Sequence, residues 1–239
     1  KGSQTKDAKV PTTKIKTYSL VIPSDKNLNW LTQDNENFFK SDILIITLPF
    51  KRQFNPSTQY LHQINNCIDA IKKTNQINHI IFTSSTAIYP NKETPWKESD
   101  KILNCSTRSQ TLIEIENTLL NINGISSTIL RLGGLYGPNR VPGRFIKTST
   151  KKINGNDRVN LTHLNDCMNA VQTVIEGNRW NEIFNIVSDE HPTKKEFYGK
   201  QAKKQGLSPP MFIDNSSFGK IISNAKSKNI LNLTYEPLP

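Results

Sequence analysis

Glycine is almost missing from the first half of this 239-residue chain. The sequence contains 11 glycines, yet the next one after Gly2 is Gly124. The loops that cradle phosphate groups, Gly-x-Gly-x-x-Gly and Gly-x-x-x-x-Gly-Lys-Ser/Thr, need glycine so that backbone N–H groups can approach the phosphate. This half of the printed sequence therefore contains neither loop.

Motifs of metal sites and hydrolases are absent as well. The chain has no Cys-x-x-Cys and no His-Glu-x-x-His, and its four histidines lie far apart in sequence, so we expect no metal site. No Gly-x-Ser-x-Gly segment occurs, and nothing favours an α/β-hydrolase.

Cysteines and long apolar runs are scarce. Cys67, Cys105 and Cys167 are widely spaced and odd in number, which argues against a disulfide scaffold and for a reducing, cytoplasmic location. The longest apolar run, residues 43–49, is far shorter than the ~20 residues of a membrane helix. Residues 1–9 lack the apolar core of a signal peptide, so we expect no membrane association.

Positive charge is abundant, with a formal net charge of +11. Its plainest explanation is a solvated basic surface, and the functional alternatives are an anionic small ligand or nucleic acid. The basic residues are dispersed in short pairs, with no long basic run and no interleaved aromatic residues. This pattern argues against nucleic acid and leaves a small-molecule substrate as the expected partner.

Apolar periodicity predicts alternating strands and helices. Continuous β-branched runs are typical of strands buried on both faces, and apolar residues at helical spacing indicate amphipathic helices. The predicted strands are residues 18–23, 42–49, 79–83, 127–132 and 182–187. The predicted helices are residues 57–74, 108–120, 164–176, 193–204 and 218–225, with a helical turn within 27–40. This order indicates an α/β fold with a doubly wound parallel sheet.

Hydroxyl groups cluster where the strand at residues 79–83 ends. Thr83 ends the strand and Ser84 and Ser85 follow it directly, and ligands of open α/β sheets bind beyond the carboxyl ends of the strands. The alternative is that these residues only end the strand and cap a turn. On this segment alone, the two explanations have equal weight.

Two further segments have a similar character. In residues 130–140 a strand ends in a loop that contains Gly133 and Gly134. These glycines either let the backbone approach a ligand closely or only form a turn. Residues 160–166 form a strand-like piece that leads into a helix.

These segments together resemble the NAD-dependent epimerase/dehydratase type of atypical, or extended, short-chain dehydrogenases/reductases. Residues 84–90 match the family's Ser-Ser-x-x-x-Tyr-Gly, with Pro90 in place of glycine, and 131–140 match Arg-x-x-x-x-Tyr-Gly-Pro-x-Arg. Residues 161–166 resemble Ile-His-Val-Asp-Asp, and 182–193 resemble a Tyr-Asn-Val block that ends in Pro-Thr. The resemblance covers roughly residues 1–207, and its motifs are specific as a set but weak singly.

The resemblance implies a Rossmann-like domain over residues 1–138 and a smaller substrate lobe formed mainly by 139–239. It implies NADP or NAD as cofactor, and basic Lys1 and Lys6 without a nearby acidic residue slightly favour NADP. The implied cofactor-binding residues are Ser3, Gln4, Thr5, Leu48, Pro49, Thr83, Gly133, Gly134 and Leu135. The implied catalytic residues are Ser84 and Ser85, and the implied substrate-binding residues are Tyr136, Arg140 and His163. Two further catalytic candidates are Tyr89, as a substitute acid, and Arg108, as a positive charge. Their alternatives are the structural tyrosine of the serine motif, which is the family match of Tyr89, and a solvated arginine at the start of a helix.

The chain departs from the family pattern at two places. The family's first strand and glycine-rich loop have no counterpart, so we expect that the first βα unit is missing from an incomplete chain. The family's Tyr-x-x-x-Lys pair is also unmatched. Aligning on Glu114 puts Ser106 and Gln110 at the pair, whereas aligning on Glu116 puts Arg108 and Leu112 there.

Two functions are consistent with this pattern. The first is an NAD(P)-dependent oxidoreductase or epimerase-like enzyme for a small polar, sugar-like substrate, with Ser84 and Ser85 as polarising donors, Tyr89 as a substitute acid and Arg108 as a positive charge. The second is a catalytically degenerate relative that binds a dinucleotide as a sensor or scaffold.

Overall fold

A computed structural model describes residues 16–25, 30–50, 57–103, 105–143, 152–214 and 219–239. Its strands are β1 (Ile43–Ile46), β2 (His79–Ser85), β3 (Lys92–Trp96), β4 (Ser126–Leu132), β5 (Gly134–Tyr136), β6 (Ile153–Asn154), β7 (Leu161–His163), β8 (Ile183–Ile186), β9 (Phe212–Ile213) and β10 (Lys220–Ile222). Its α-helices are α1 (Gln33–Glu36), α2 (Ser57–Thr74), α3 (Thr107–Leu120), α4 (Leu164–Glu176), α5 (Lys194–Lys204) and α6 (Ala225–Leu231). Short 3₁₀ helices span Asn37–Phe39 and Thr86–Ile88. No helix in these ranges is long and apolar enough to cross a bilayer.

Four parallel strands form the central sheet, in the order β1-β2-β4-β8. The strands alternate with helices along the chain, because a parallel neighbour can be reached only by a long crossover. The predicted α/β class with a parallel sheet is confirmed.

Helices cover both faces of the sheet. Ile80 and Phe82 of β2 pack with α2 and α3 on one face, whereas Ile81 between them packs with α4 and α6 on the other. Successive strand side chains point to opposite faces, so a continuous apolar run serves two cores at once. All three side chains are fully buried.

Capping boxes set the starts of two helices. Thr193 caps α5 and Glu196 returns the capping-box hydrogen bond, while His163 and Asp166 form the same arrangement at α4. Helix α2 coincides with the predicted residues 57–74.

Two predicted elements are wrong. Residues 18–23 form no strand, because the carbonyl oxygens of Ile22 and Pro23 accept hydrogen bonds from the Gln63 and Asn66 side chains of α2 instead of a neighbouring strand. Residues 220–222 are strand β10, not helix, because this segment pairs in parallel with β3. The helix begins only at Ala225.

Three two-stranded pairs, β10–β3, β5–β7 and β6–β9, lie outside the central sheet. Strands β5, β7 and β10 come after β4 in the sequence, and these pairs place them beside the carboxyl ends of β2 and β4. Strand β8 and helices α4 and α6 also follow β4, but they belong to the sheet and its covering layer. The boundary at residue 138 stays a prediction.

A buried polar network ties the sheet to α3. Arg131 of β4 donates to Glu116 of α3 at 2.7 and 3.1 Å, and both side chains are almost fully buried. The Ser84 hydroxyl donates to the same carboxylate at 2.5 Å. Arg131 also donates to the Tyr89 hydroxyl at 2.6 Å, and that hydroxyl donates to Asn185 Oδ1 at 2.9 Å. The network thus joins β2, β4, β8 and α3.

Gly133 and Gly134 allow close packing between β5 and the segment that contains β7. A Cβ atom on Gly133 would lie 2.7 Å from the backbone oxygen of Asn160, and one on Gly134 would lie 2.8 Å from Leu161 Cδ2. Both distances are below ordinary van der Waals contact. Gly133 is therefore required by packing against backbone, whereas a Cβ on Gly134 would come too close only to the movable end of a leucine side chain.

We predict that Glu116→Gln lowers the free energy of unfolding by about 3–5 kcal/mol, because it leaves the Arg131 charge buried without a counter-ion. Equilibrium unfolding in urea measures the change. The matched control is Glu114→Gln on the exposed side of the same helix, with an expected change within about 0.5 kcal/mol. Equal effects of the two variants would contradict a buried ion pair.

We also predict that Gly133→Ala lowers the free energy of unfolding by about 1–3 kcal/mol, because the backbone at Asn160 must move. Gly199→Ala is the control: nothing lies within 4 Å of its added Cβ, and alanine is expected to stabilise α5 by about 0.5–1 kcal/mol. Urea unfolding of both proteins should give opposite signs. A neutral Gly133→Ala protein would argue against the tight packing.

Candidate functional site

A cleft of about 480 Å³ opens at the carboxyl end of β2. Its described lining consists of Ser85, Thr86, Ala87, Asn91, Gly133, Gly134, Leu135, Arg140, Asp157, Arg158, Val159, Asn160, Leu161, Lys194, Tyr198, Gly219 and Lys220. These residues come from five separate stretches of sequence. Ligands of open α/β sheets bind at this edge, so we place the candidate site here.

Another cavity, of about 560 Å³, is lined by residues that include Lys97, Glu182 and Lys226. Its described lining includes Glu182 and Ile183 from the start of the 182–193 motif, but none of the predicted catalytic, cofactor-binding or substrate-binding residues. We therefore assign no function to it.

The three hydroxyls at the carboxyl end of β2, those of Thr83, Ser84 and Ser85, have different surroundings. Thr83 donates to the carbonyl oxygen of Ile46 at 3.3 Å, and Ser84 is committed to Glu116. Ser85 Oγ accepts the Ala87 N–H at 3.1 Å, and its own hydrogen has no acceptor among the described residues. Of the three, Ser85 is the one that lines the cleft with a hydrogen to donate.

Tyr89 lies in the interior, with 1% of its surface exposed. Its hydroxyl is held between Arg131 and Asn185, and its ring stacks on Trp96. Burial raises the pKa of Tyr89, although Arg131 partly opposes this. These contacts favour a structural role and give no support to Tyr89 as a substitute acid.

Arg108 joins the start of α3 to the loop after β1. Its guanidinium donates to the Phe50 carbonyl oxygen and lies 3.6 Å from the centre of the Phe50 ring. The same loop contains Leu48 and Pro49, and the Leu48 carbonyl oxygen accepts the Tyr60 hydroxyl at 2.9 Å. Arg108 therefore lies near two predicted cofactor-binding residues, whose role stays a prediction.

The backbone N–H groups of Gly133 and Gly134 are already used within the protein. Gly133 donates to Thr162 Oγ1 at 2.7 Å, and Gly134 donates to the Asn160 carbonyl oxygen at 2.8 Å. Neither is left to bind a ligand. Leu135 lines the cleft with 41% of its surface exposed, so its side chain is available for contact.

Of the predicted substrate residues, Arg140 lines the cleft and is exposed. Tyr136 is buried and donates to the carbonyl oxygen of Pro237 at 3.1 Å, and burial is the main cause that raises its pKa to about 12. His163 caps α4 through Nδ1, which accepts the Asn165 N–H. The described lining of the cleft includes neither Tyr136 nor His163. Ser3, Gln4 and Thr5 lie outside the described residues.

Sequence reasoning missed Arg158, Lys194 and Lys220, which line the cleft with Arg140. They belong to no motif. Lys220 reaches the cleft through the pairing of β10 with β3, where the sequence predicted a helix. Within the described residues, no three His, Cys, Asp or Glu side chains lie close enough together to hold a metal ion.

The buried network favours one alignment of α3. Glu116 is buried and paired with Arg131, which is itself a motif residue, whereas Glu114 is exposed. Alignment on Glu116 puts Arg108 and Leu112 at the positions of the Tyr and Lys pair. Leu112 is 3% exposed and packs in the core, so it cannot supply a positive charge.

Comparison with known proteins agrees with the motifs. The model of the NAD dependent epimerase/dehydratase family matches residues 60–186, which is more than half of the chain. Protein YeeZ of Escherichia coli (strain K12) is 35% identical over 207 residues, which cover 86% of this chain and 75% of YeeZ.

Solved structures agree with the fold. dTDP-glucose 4,6-dehydratase from Bacillus anthracis, in complex with NAD, superposes with a TM-score of 0.67 at 15% identity, covering 82% of this chain and 68% of that one. RMD from Pseudomonas aeruginosa, complexed with NADPH, gives 0.69 at 12% identity and covers 82% and 77%. Together with the family match and the parallel sheet, these similarities show that the chain has a Rossmann-like fold and belongs to the NAD-dependent epimerase/dehydratase family.

Proposed function

We propose that this protein is an NAD(P)-dependent oxidoreductase or epimerase that acts on a small polar, sugar-like substrate. The observation that carries the proposal is the position of Ser85. Its hydroxyl lies at the carboxyl end of β2, lines the cleft and has a hydrogen with no acceptor among the described residues. A hydroxyl placed in this way can donate to a substrate oxygen.

The described residues offer side chains to two parts of the cofactor. The cleft offers Ser85 and the exposed Leu135 to a nicotinamide ring and its ribose, and the loop after β1 offers Leu48 and Pro49 to the adenine-ribose side. The glycine-free stretch from residue 3 to residue 123 offers no glycine-rich loop for the pyrophosphate. When bound, the nicotinamide would accept or return a hydride. In this proposal, Ser85 holds the oxygen on the carbon that reacts.

The choice between NAD and NADP belongs to the proposal. One of the two solved structures above is in complex with NAD and the other with NADPH. The basic Lys1 and Lys6 of this chain slightly favour NADP.

A binding protein without turnover is the second candidate. The observation that favours it is Leu112, a core residue at the position where the family has its lysine. A Tyr-x-x-x-Lys pair uses the lysine charge to lower the pKa of the tyrosine, and leucine has no charge to offer. In this case the cleft would bind a dinucleotide and report its presence to a partner.

We predict saturable binding of NADPH or NADH to the 239-residue chain, with a micromolar dissociation constant, because the cleft accepts the nicotinamide end. A titration followed by nicotinamide fluorescence measures it, and nicotinamide mononucleotide, which carries the nicotinamide end alone, serves as competitor. Turnover of sugar-like alcohols or ketones, followed at 340 nm, then separates an enzyme from a sensor. Absence of binding by both dinucleotides would contradict both candidates for this chain.

On a substrate that is turned over, Ser85→Ala should lower kcat by about 10²-fold, because the reacting oxygen loses a fixed donor. The free energy of unfolding should change by less than about 0.5 kcal/mol. Steady-state kinetics and urea unfolding measure the two effects.

Ser84→Ala is the matched control for this prediction. It removes a buried donor from Glu116, so it should lower the free energy of unfolding by about 1–3 kcal/mol without a comparable loss of kcat. If Ser85→Ala keeps kcat within twofold of the wild type, the assigned role of Ser85 is wrong.

A further inference from the structure

Lys220 is a cation fixed in the wall of the cleft. Its ammonium donates to the carbonyl oxygens of Thr86 at 2.9 Å and Tyr89 at 2.5 Å, both in the turn that follows Ser85. Asn160 holds the backbone on either side of the lysine, because its Nδ2 donates to the Lys220 carbonyl and its Oδ1 accepts the Ile222 N–H. An ammonium has three hydrogens, so one remains for a ligand.

No carboxylate neutralises Lys220 within the described part of the chain. Burial, with a smaller effect of Lys194, lowers its pKa to about 8. Lys220 is half-buried, and a partly desolvated cation without a counter-ion is less stable than a paired one. The counter-charge is therefore to be sought in a ligand.

The other charges of the cleft also favour a negatively charged ligand. Its described lining has four cations, Arg140, Arg158, Lys194 and Lys220, and one carboxylate, Asp157. Asp157 is paired with Lys194 at 2.7 Å. Arg158 donates to the His191 carbonyl oxygen at 3.2 Å and forms no ion pair with a described residue. The cleft therefore keeps a surplus of positive charge.

We propose that the substrate of this cleft is an acid, and that Lys220 and Arg158 bind its carboxylate or phosphate group. This inference rests on the proposed function, since it names the chemical class of substrate for the same site. A cleft of about 480 Å³ suits a small molecule better than a nucleic-acid strand. Arg140, exposed at the same cleft, can add to the attraction.

Three probes of similar size test the inference: glucuronate, glucose 6-phosphate and glucose. Chemical-shift titration of the ¹⁵N-labelled 239-residue chain gives each dissociation constant and shows whether each variant is folded. We expect at least one of the two acids to bind at least tenfold more tightly than glucose. Which acid binds more tightly distinguishes a carboxylate from a phosphate.

Lys220→Met and Arg158→Gln should each weaken binding of that acid at least tenfold. Lys200→Met is the matched control, since it removes the same charge from an exposed position on α5 outside the described lining of the cleft. Arg158→Gln keeps the test decisive if Lys220→Met does not fold. The inference is overturned if glucose binds as tightly as both acids, or if the folded cleft variants bind like Lys200→Met.

The pH dependence gives an independent measurement. Binding of the acid that binds more tightly should weaken about tenfold as pH rises from 7 to 9.5, because Lys220 loses its proton while the carboxylate or phosphate stays ionised. The other charged or titratable groups around Lys220 are Lys92 across the β10–β3 pair, Tyr89 in the turn that the ammonium bonds, and Arg140, Asp157, Arg158, Lys194 and Tyr198 of the cleft lining. Burial raises the pKa of both tyrosines, so neither loses its proton over this range. The pH effect should therefore disappear in Lys220→Met. A wild-type affinity that stays constant over this range would contradict the role of Lys220.

Dinucleotide titration of the same samples separates this inference from the proposed function. Dinucleotide binding without Lys220-dependent binding of an acid overturns the inference alone. Lys220-dependent binding of an acid without dinucleotide binding overturns the proposed function and supports the anion site.

Discussion

The buried ion pair between Arg131 and Glu116 constrains much of this structure. Neither charge could lie in the core without the other, since the desolvation of an unpaired charge exceeds what packing returns. The pair fixes the distance between α3 and the sheet and holds Ser84 and Tyr89 by hydrogen bonds. Adjacent strand residues point to opposite faces, so Ser85 is directed away from this network and towards the cleft.

The cleft depends on a second constraint, the close approach of β5 to the segment that contains β7. Gly133 and Gly134 permit it because they have no Cβ, and their N–H groups bond to that segment. This contact keeps residues 157–161 beside the carboxyl end of β2. The glycines thus act on the site indirectly, by placing its wall.

The chemistry of the site depends on the side chains that these two constraints leave without a structural role. Glu116 takes part in the network, and this favours the alignment that puts Leu112 where the family has its lysine. The cleft instead has Ser85 as a donor and Lys220 as a cation from a distant strand. A polarising hydroxyl and an anion-binding cation fit both an enzyme with unusual proton transfer and a protein that only binds.

The sequence by itself determined helices α2 to α5, the four strands of the central sheet and the family. These depend on local patterns: the Thr193–Glu196 capping box, the continuous apolar run in β2 and the spacing of motif residues around Arg131. Only the tertiary structure decided which hydroxyl is free, that residues 18–23 bond to α2 side chains, and that Lys220 lies in the cleft. Each of these depends on contacts between residues far apart in the chain. Local periodicity and motif spacing contain no information about such contacts, so no reading of the segments one at a time could supply them.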